Sequence, residues 1–478
     1  GRQRAAFAEG GLDRVVDVLL ADTRANTEWV PGAGPARAQV SEMLRGYDAS
    51  NDEAVVFDGS ARGPYGLLMN ALERIGIEGL RAKERERDDV QRSLGMTFHV
   101  EDGSSEGQER LFPFDVIPRI VAAEDWGPLQ AGLLQRVRAL EAFLHDAYGE
   151  RQVVQDGVLP AWAVTGSPGF CSDAGVVPQS AVRCAVAGID LVRDGAGRWK
   201  VLEDNLRVPS GIGYAVANRW VASRILPELA LATSTLGASH AINVLRGGLT
   251  HVSDALALVT MGESDSAYFE HTLLAREMGV PVLTPDRLRV DEDGVWGRCG
   301  DGERRIEVIY RRIDEDELFG AKGVDGRPLG PGLLAAVKRG VLHMANAPGN
   351  GVGDDKALYA FVPKLIKYYL GETPLLDNVP TYLCRDPAQL EQVLDRLGEL
   401  VVKPVDGYGG NGVLIGPDAA PSELDEARAR ILAHPAQWIA QETVRLSTHP
   451  TFGDGKLRPR CVDLRAFVVQ GAEPRIVP

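Results

Sequence analysis

The chain of 478 residues carries 52 lysines and arginines against 67 aspartates and glutamates, which gives a formal net charge of −15 at pH 7. This balance argues against nucleic acid or an anionic membrane surface as the main partner, because phosphate binding requires clustered positive charge. With 44% apolar and 25% charged residues, the composition is that of a globular protein rather than a disordered chain.

Hydrophobic periodicity in the first half of the chain predicts helices followed by strands. Residues 1–60 combine short helical patterns with loops, and 90–112 form a polar segment predicted to be a surface excursion. Apolar residues that recur at helical spacing predict one long amphipathic helix over 126–148. Strand patterns at 185–192 and 199–203 flank a glycine-containing turn, which predicts a β-hairpin.

The second half of the chain alternates strands and helices, as expected for an α/β protein. A strand at 255–260, a helix at 267–278 and a strand at 280–283 predict one βαβ unit of Rossmann type. The remaining predicted elements are a strand at 306–311, helices at 332–343 and 354–370, a strand near Thr381, a helix at 387–397, a strand at 400–404, a helix at 422–433, and strands at 437–444 and 461–470.

The five cysteines are widely scattered and contain no CxxC pair, so the sequence predicts neither a zinc site nor a disulfide framework. A reduced compartment is the simplest interpretation, and we expect a cytoplasmic protein. We find no apolar run long enough for a membrane span and no secretory leader. Because the chain opens without methionine and stops directly after an apolar strand, we expect both ends to be trimmed.

The segment 401–413 combines a strand, a lysine and a glycine-dense turn, followed by another short strand. Lysine is scarce in this chain, with nine residues, so Lys403 within an apolar strand is conspicuous. Glycines let backbone N–H groups approach phosphate oxygens, and a lysine can bind phosphate as a point charge. The residue order differs from a Walker A loop, and a mobile hairpin with a surface lysine is the alternative interpretation. The candidate phosphate-binding residues here are Lys403, Gly407, Tyr408, Gly409, Gly410 and Gly412.

Polar residues meet at the end of the predicted hairpin. Strand alternation places Glu203 and Asn205 on one face, with Arg207 continuing it, and Asp190 can share that face from the neighbouring strand. Two carboxylates and an amide oxygen are hard ligands suited to Mg²⁺ bound together with nucleotide phosphates. Arg207 beside them is suited to stabilise a transferring phosphoryl group. The alternative is a solvated strand end that carries charges.

Three further segments contribute candidate site residues. Lys356 begins a predicted helix upstream of the lysine-bearing strand. On the predicted strand at 461–470, Asp463 and Arg465 lie on one side by alternation. The strand at 437–444 is apolar and ends in polar groups, so its backbone can bind an adenine edge while a side chain accepts from ribose. A plain buried strand is the alternative, and the candidates on it are Gln441, Glu442 and Val444.

Together these motifs resemble the ATP-grasp superfamily, in which two lysines and a glycine-rich loop normally precede an aspartate strand paired with an E-x-N strand. Here the aspartate and E-x-N strands come before both lysines, so the order is rotated. Members of the circularly permuted ATP-grasp family of bacteria (type 2) are similar to the synthetase half of glutathionylspermidine synthetase, and they run on into another glycine-rich stretch that is absent here. The resemblance to this family is carried by the rotation and by the motifs FPFD (112–115), RAL (138–140), NAPG (346–349) and DLR (463–465).

The resemblance implies an α/β, circularly permuted ATP-grasp fold with a Rossmann-like unit and a helical N-terminal region. It implies ATP and Mg²⁺ as cofactors, with Mn²⁺ as an alternative ion. It also implies an acylphosphate mechanism, in which an amine attacks a phosphorylated carboxylate while the glycine loop excludes water. The implied roles are metal ligands for Asp190, Glu203 and Asn205, ATP-binding residues for Lys356, Lys403 and the glycine and 437–444 candidates, and catalytic arginines for Arg207 and Arg465.

Substrate-binding residues are predicted from strand-end chemistry. The strand at 306–311 runs into Arg312 and Asp314, at the edge where α/β sheets commonly bind ligands. Arg312 is suited to hold a substrate carboxylate and Asp314 an amine, and Ser210 is a further substrate-binding candidate. A solvated charge cluster is the alternative interpretation of this run.

The leading functional hypothesis is an ATP-dependent carboxylate–amine ligase that releases ADP and phosphate. A phosphotransferase and a non-catalytic nucleotide-binding partner protein are the alternatives. The resemblance implies α-helical and transglutaminase-like operon partners, and we expect neither nucleic acid nor membrane as a partner. We also predict four regions of the chain. The regions are a helical or mixed N-terminal part (1–150), the metal-binding half of the ATP-grasp unit (151–250), a Rossmann-like substrate unit (251–345), and a nucleotide-binding part with a truncated C-terminus (346–478).

Overall fold

The computed structural model describes residues 42–100, 108–230, 238–300, 302–406 and 412–477. None of the helices in these ranges is both long and apolar enough to cross a membrane. The described α-helices are α1 (Gly66–Leu94), α2 (Ala123–Ala147), α3 (Gln152–Gln155), α4 (Ile212–Ile225), α5 (Pro227–Ala230), α6 (Ala238–Leu249), α7 (Tyr268–Met278), α8 (Glu315–Gly320), α9 (Gly330–Lys338), α10 (Lys356–Tyr359), α11 (Val362–Leu365), α12 (Pro387–Asp395) and α13 (Pro421–Ala433).

Short strands account for much of the remaining regular structure. The described strands are β1 (Thr97–Val100), β2 (Gln108–Leu111), β3 (Val186–Arg193), β4 (Trp199–Asn205), β5 (Leu256–Val259), β6 (Val282–Leu283), β7 (Leu288–Val290), β8 (Val295–Cys299), β9 (Gly302–Ile306), β10 (Val308–Arg311), β11 (His343–Ala345), β12 (Asp377–Asn378), β13 (Thr381–Leu383), β14 (Leu400–Pro404), β15 (Leu414–Ile415), β16 (Trp438–Glu442), β17 (Thr448–Gly453), β18 (Lys456–Cys461), β19 (Asp463–Val469) and β20 (Arg475–Val477).

A five-stranded sheet in the order β12-β4-β3-β19-β20, the central sheet, carries most of the charged residues considered below. Strand β3 pairs antiparallel with β4 on one side, which confirms the predicted hairpin, and with β19 on the other. The sheet therefore combines strands from three parts of the chain, 186–205, 377–378 and 463–477. The predicted domain boundaries stay predictions.

Helix α2 packs against the central sheet and confirms the predicted long amphipathic helix at 126–148. Leu133, Leu140 and Leu144 recur on one face of this helix and are fully buried in a cluster that includes Ile189 of β3. Removing each such side chain from water contributes about 1.5–3 kcal/mol. The apolar stripe of α2 therefore fixes the helix over the strands that carry the candidate site.

Two other sheets flank the central one. The order β11-β10-β5-β6 is a parallel sheet, and β5, α7 and β6 form the predicted βαβ unit. The order β13-β16-β14-β15 is an antiparallel sheet, which we call the C-terminal sheet. Helices α12 and α13 contribute Val393 and Ile431 to the core behind it.

Two predicted helices were wrong in extent or type. The helix predicted over 332–343 ends at Lys338, because Gly340 takes a left-handed φ of 71° and the chain then enters β11. The helix predicted over 354–370 is divided into α10, α11 and one π-helical turn. The predicted surface excursion within 90–112 stays a prediction, because its centre at 101–107 lies outside the described residues; α1 and the antiparallel strands β1 and β2 precede and follow that centre.

Asp115 joins the chain before α2 to the β17–β18 hairpin. Its carboxylate accepts hydrogen bonds from the backbone N–H groups of Ile117 at 2.7 Å and Phe452 at 3.0 Å. Burial raises the pKa of this carboxyl to about 6, although both N–H groups oppose the rise. The folded-state pKa thus lies above the unfolded-state value, so the stabilisation from protonated Asp115 is complete below about pH 4 and is lost as pH rises through 6.

We expect the ionisation of Asp115 to lower the free energy of unfolding by about 1–3 kcal/mol as the pH rises from 4 to 7. Denaturant unfolding of the wild type and of Asp115→Asn at both pH values measures this contribution. The free energy of unfolding of the wild type should fall relative to that of Asp115→Asn as the pH rises. A difference that stays constant across this range contradicts the prediction.

Candidate functional site

Three charged side chains form a row across the central sheet. Asp190 of β3 lies opposite Glu203 of β4 and, on its other side, opposite Arg465 of β19. Arg465 donates Nε to Asp190 Oδ1 at 2.6 Å and Nη2 to Oδ2 at 2.8 Å, which is a bidentate pair. Asn205 Nδ2 lies 3.5 Å from Asp190 Oδ2. The strand register thus brings the three predicted metal ligands together.

A cleft lies between Glu203 of this row and Lys403 and Gln441 of the C-terminal sheet. Lys356 Nζ lies in it, 3.5 Å from Glu203 Oε1. Asp355 caps α10 by accepting hydrogen bonds from the N–H groups of Ala357 and Leu358, which fixes the helix start and with it Lys356. The cleft is lined by Leu202, Glu203, Asp204, Gly353, Asp354, Lys356, Tyr359, Lys403 and Gln441.

Lys403 reaches the same cleft from β14 and is 8% exposed. Burial lowers the pKa of its ammonium group, and the like charge of Lys356 lowers it further. The carboxylates of Glu203 and Asp190 oppose this effect from the central sheet. A buried ammonium of this kind gains stability from any anion that enters the cleft.

Gln441 and Glu442 are neighbours on β16 and, by strand alternation, face opposite sides of the C-terminal sheet. Gln441 Nε2 donates to Thr381 Oγ1 at 3.2 Å, while its buried Oε1 has no hydrogen-bond partner within the described ranges. Glu442 instead accepts from Arg396 Nη1 and Nη2 at 2.8 and 2.9 Å and from the Tyr382 hydroxyl. Gln441 therefore faces the cleft and Glu442 has its own partners.

The predicted ribose role of Glu442 stays a prediction, as does the role of Val444, which lies beyond the end of β16. The candidates Gly407, Tyr408, Gly409 and Gly410 lie outside the described residues. Gly412 is described, and its φ of 75° is one that glycine adopts without a steric cost.

Arg207 follows β4 and is held by carboxylates from two other segments. Its Nε donates to Asp354 Oδ2 at 3.0 Å, and its Nη1 lies 3.8 Å from Asp314 Oδ1. Asp354 also accepts from the N–H of Leu206 at 2.5 Å. Burial raises the pKa of Asp354 to about 6, against the opposing charge of Arg207. Asn346 supports the same segment by donating Nδ2 to the Leu206 carbonyl at 2.7 Å.

Arg312 is fully buried and contacts the loop that follows β4. It donates Nη2 to Ser210 Oγ at 2.6 Å and Nη1 to the Pro209 carbonyl at 2.8 Å. Glu270 Oε2 lies 3.5 Å from the same guanidinium. Asp314, by contrast, is exposed and lies beside Arg207. These contacts support a role for Arg312 in holding the loop, and the substrate roles of Arg312, Ser210 and Asp314 stay predictions.

A buried ion pair behind the cleft was not predicted. Arg136 of α2 donates Nε and Nη2 to the two oxygens of Asp204 at 2.6 Å each. Its Nη1 donates to Asn378 Oδ1 at 2.8 Å, and its guanidinium lies 5.4 Å from the centre of the Tyr359 ring. Asp204 sits on β4 between the two candidate metal ligands of that strand. The sequence signal was an arginine on the apolar stripe of α2, where an unpaired charge is costly.

The donor set on the central sheet fits a hard divalent cation. Asp190 and Glu203 supply carboxylate oxygens and Asn205 an amide oxygen, the donor types that Mg²⁺ and Mn²⁺ prefer. Over the described ranges, no group of three or more His, Cys, Asp or Glu side chains is placed to hold a metal. The candidate set is therefore two carboxylates and one amide, a partial shell to which nucleotide phosphates can add oxygens.

Comparison with known proteins identifies the class of this chain. The family described as circularly permuted ATP-grasp type 2 matches residues 118–478. The chain belongs to this family, which confirms the predicted fold class and the family resemblance.

Several relatives are similar over most or all of the chain. "Putative glutamate--cysteine ligase 2-3" of Frankia alni is 51% identical over 497 residues, covering 100% of this chain and 57% of the relative. The similarly named protein 2-2 of Frankia casuarinae is 50% identical with the same coverage. An uncharacterised protein of Mycobacterium tuberculosis is 43% identical, covering 93% of this chain and 82% of the relative. The chain thus spans 57% of the two Frankia relatives, whose names describe longer proteins.

Proposed function

We propose that the protein is an ATP-dependent ligase that joins a carboxylate to an amine through an acylphosphate and releases ADP and phosphate. The observation that supports this best is the convergence of Lys356 and Lys403 with Glu203 in one cleft. Two buried cations beside a carboxylate-bearing strand pair suit a polyphosphate that carries a divalent cation. Family membership and the ligase names of the Frankia relatives support the same class of reaction.

In this proposal the residues of the cleft bind and orient the nucleotide. Lys403 and Lys356 contact the α- and β-phosphates, and an entering phosphate stabilises the Lys403 ammonium group, which burial disfavours. Gln441 offers its unpartnered Oε1 to an N–H group of the ligand. Asp190, Glu203 and Asn205 would hold Mg²⁺ or Mn²⁺, which when bound neutralises phosphate charge and polarises the phosphoryl group.

Arg207 is the candidate for stabilising charge on the transferring phosphoryl group. Asp354 and Asn346 fix its segment from behind, so its guanidinium position does not depend on the ligand alone. A preorganised cation stabilises a transition state more than a mobile one, because little reorganisation accompanies the reaction. Asp314, exposed beside Arg207, is the candidate that orients an attacking amine.

The substrates are proposed at the level of amino acid or peptide-like carboxylates and amines. The Frankia names refer to glutamate and cysteine, but those proteins extend well beyond the part that this chain matches. We therefore leave glutamate and cysteine as two members of the pool to be tested. Cytoplasmic location and operon partners stay predictions.

Product analysis tests the proposed reaction. We expect the protein, incubated with ATP, Mg²⁺ and pooled amino acids and short peptides, to release ADP and phosphate in equal amounts with an amide product. Release of AMP would refute the acylphosphate route. Transfer of the γ-phosphate to an acceptor without free phosphate would identify a phosphotransferase instead. No acceptor-dependent release with any pool would favour the non-catalytic alternative.

A further inference from the structure

Both carboxylates of the candidate metal set are paired with a cation of this chain. Asp190 accepts hydrogen bonds from Arg465 Nε at 2.6 Å and Nη2 at 2.8 Å. Glu203 Oε1 lies 3.5 Å from Lys356 Nζ. We infer that Arg465 is a placeholder cation. In the nucleotide-free protein it occupies the Asp190 oxygens that a divalent cation needs, and it exchanges them for a phosphate when the nucleotide binds. This inference rests on the proposed nucleotide site.

The geometry of the Arg465 pair makes it a competitor. A guanidinium fork that donates to both oxygens of one carboxylate engages the lone pairs on that side. A divalent cation at the same oxygens would stand next to the guanidinium, which is a like-charge contact. Arg465 and the divalent cation therefore cannot share Asp190 without a cost in free energy.

The surroundings of Arg465 allow it to leave. Its side chain is 40% exposed and that of Asp190 is 16% exposed, whereas the Arg136–Asp204 pair behind the cleft is 1% exposed on each side. A partly exposed ion pair costs less to break than a fully buried one, whose loss is strongly destabilising. The pair between Asp190 of β3 and Arg465 of β19 is thus exchangeable, whereas the pair between Arg136 of α2 and Asp204 of β4 is fixed.

The charge balance of the cleft favours the exchange. Three cations of the chain lie near two carboxylates, because Arg465 pairs with Asp190, Lys356 lies beside Glu203, and the charge of Lys403 interacts with both carboxylates. A complex of ATP with a divalent cation is itself anionic, so its phosphates are stabilised by protein cations. The two carboxylates are then paired with the divalent cation and no longer need protein cations. Arg465 can therefore turn from Asp190 to a phosphate without leaving an unpaired charge on either side.

Binding of Mn²⁺ to the nucleotide-free protein tests this inference. We expect Arg465→Met to bind Mn²⁺ about fivefold more tightly than the wild type, as measured by titration calorimetry or by the EPR signal of free Mn²⁺. Arg465→Lys should lie between the two, because lysine keeps the charge but lacks the bidentate fork. Binding of ATP with Mn²⁺ present should weaken in Arg465→Met, since a phosphate ligand is lost.

Two further variants separate local competition from a general charge effect. Arg460→Met removes one positive charge from an exposed position on β18 and should leave Mn²⁺ affinity within about 1.5-fold of the wild type. Adding Asp190→Asn to Arg465→Met should abolish the gain. Mn²⁺ binding by Arg465→Met that is no tighter than that of Arg460→Met overturns the inference, and so does a gain that persists without Asp190.

These readouts do not require turnover. If the Mn²⁺ results hold but no acceptor yields ADP, the proposed ligase reaction fails and the placeholder role of Arg465 stands. If ADP is released but Arg465→Met gains no Mn²⁺ affinity, the ligase proposal stands and the placeholder role is rejected.

Discussion

Replacement of Glu203 by glutamine is expected to lower ATP turnover on the order of 10³-fold, with little effect on folding. Glu203 lies opposite Asp190 in the strand register, and its Oε1 is 3.5 Å from Lys356 Nζ. Glutamine keeps the size and one oxygen acceptor but removes the negative charge that attracts a divalent cation. ADP release at saturating ATP and increasing Mg²⁺ concentration measures the effect.

The matched control for this change is Glu303→Gln. Glu303 is an exposed carboxylate on β9 that pairs with Arg289 at 2.7 Å, outside the cleft. We expect it to change turnover by less than about twofold, because exposed ion pairs contribute little. Glu203→Gln should keep its free energy of unfolding within about 1 kcal/mol of the wild type. Turnover that survives in Glu203→Gln would remove Glu203 from the metal set.

Arg136→Met is expected to lower the free energy of unfolding by about 3–5 kcal/mol. The substitution leaves the Asp204 carboxylate buried without the guanidinium that now donates to both of its oxygens. It also removes the donor to Asn378 Oδ1 and thereby weakens the link between α2 and the edge strand β12. Denaturant unfolding followed by circular dichroism measures the loss.

Helix α2 supplies its own control for this prediction. Arg138, two residues further along, is 51% exposed and lies 3.5 Å from Glu372, so Arg138→Met should change the unfolding free energy by about 0.5 kcal/mol or less. The double variant Arg136→Met/Asp204→Leu should recover most of the lost stability, because no charge is then left buried. Equal stability of Arg136→Met and Arg138→Met would show that the buried pair contributes no net stability.

Elements with a strong local pattern were predictable from the sequence. The apolar stripe of α2 and the alternation of β3 and β4 are set by residues a few positions apart, so periodicity alone identifies them. The helix predicted over 332–343 failed for the same reason, since Val341 and Leu342, which lie between α9 and β11, continue the apolar helical pattern. The break depends on the backbone conformation at Gly340, which the pattern does not reveal.

Candidate site residues were predictable where a strand presents them in a fixed alternation. Glu203 and Asn205 share a face of β4, and hairpin register adds Asp190. Alternation also separates Gln441 from Glu442, although the sequence had suggested nucleotide contacts for both. Only the three-dimensional structure shows that Glu442 already has Arg396 and Tyr382 as partners.

Long-range pairs could not be predicted, because nothing local distinguishes them from solvated charges. Arg136 and Asp204 are 68 residues apart, and either could have been a surface residue by its neighbours alone. The sequence suggests Arg312 as a ligand for a substrate carboxylate. In the structure its guanidinium contacts Ser210, 102 residues away in sequence, and Glu270, 42 residues away. Such pairs depend on how sheets and helices pack, which one sequence does not specify.

The order of strands in the central sheet has a consequence for biosynthesis. Arg465 follows Asp190 by 275 residues, yet β19 lies directly between β3 and β20. Strands β3 and β4 therefore leave the ribosome long before β19. Until β19 is synthesised, the edge of β3 that pairs with it stays unpaired in the nascent chain. We expect translation that stops before β19 to yield a polypeptide whose β3 edge is open and aggregation-prone and whose Asp190 lacks Arg465 as its partner.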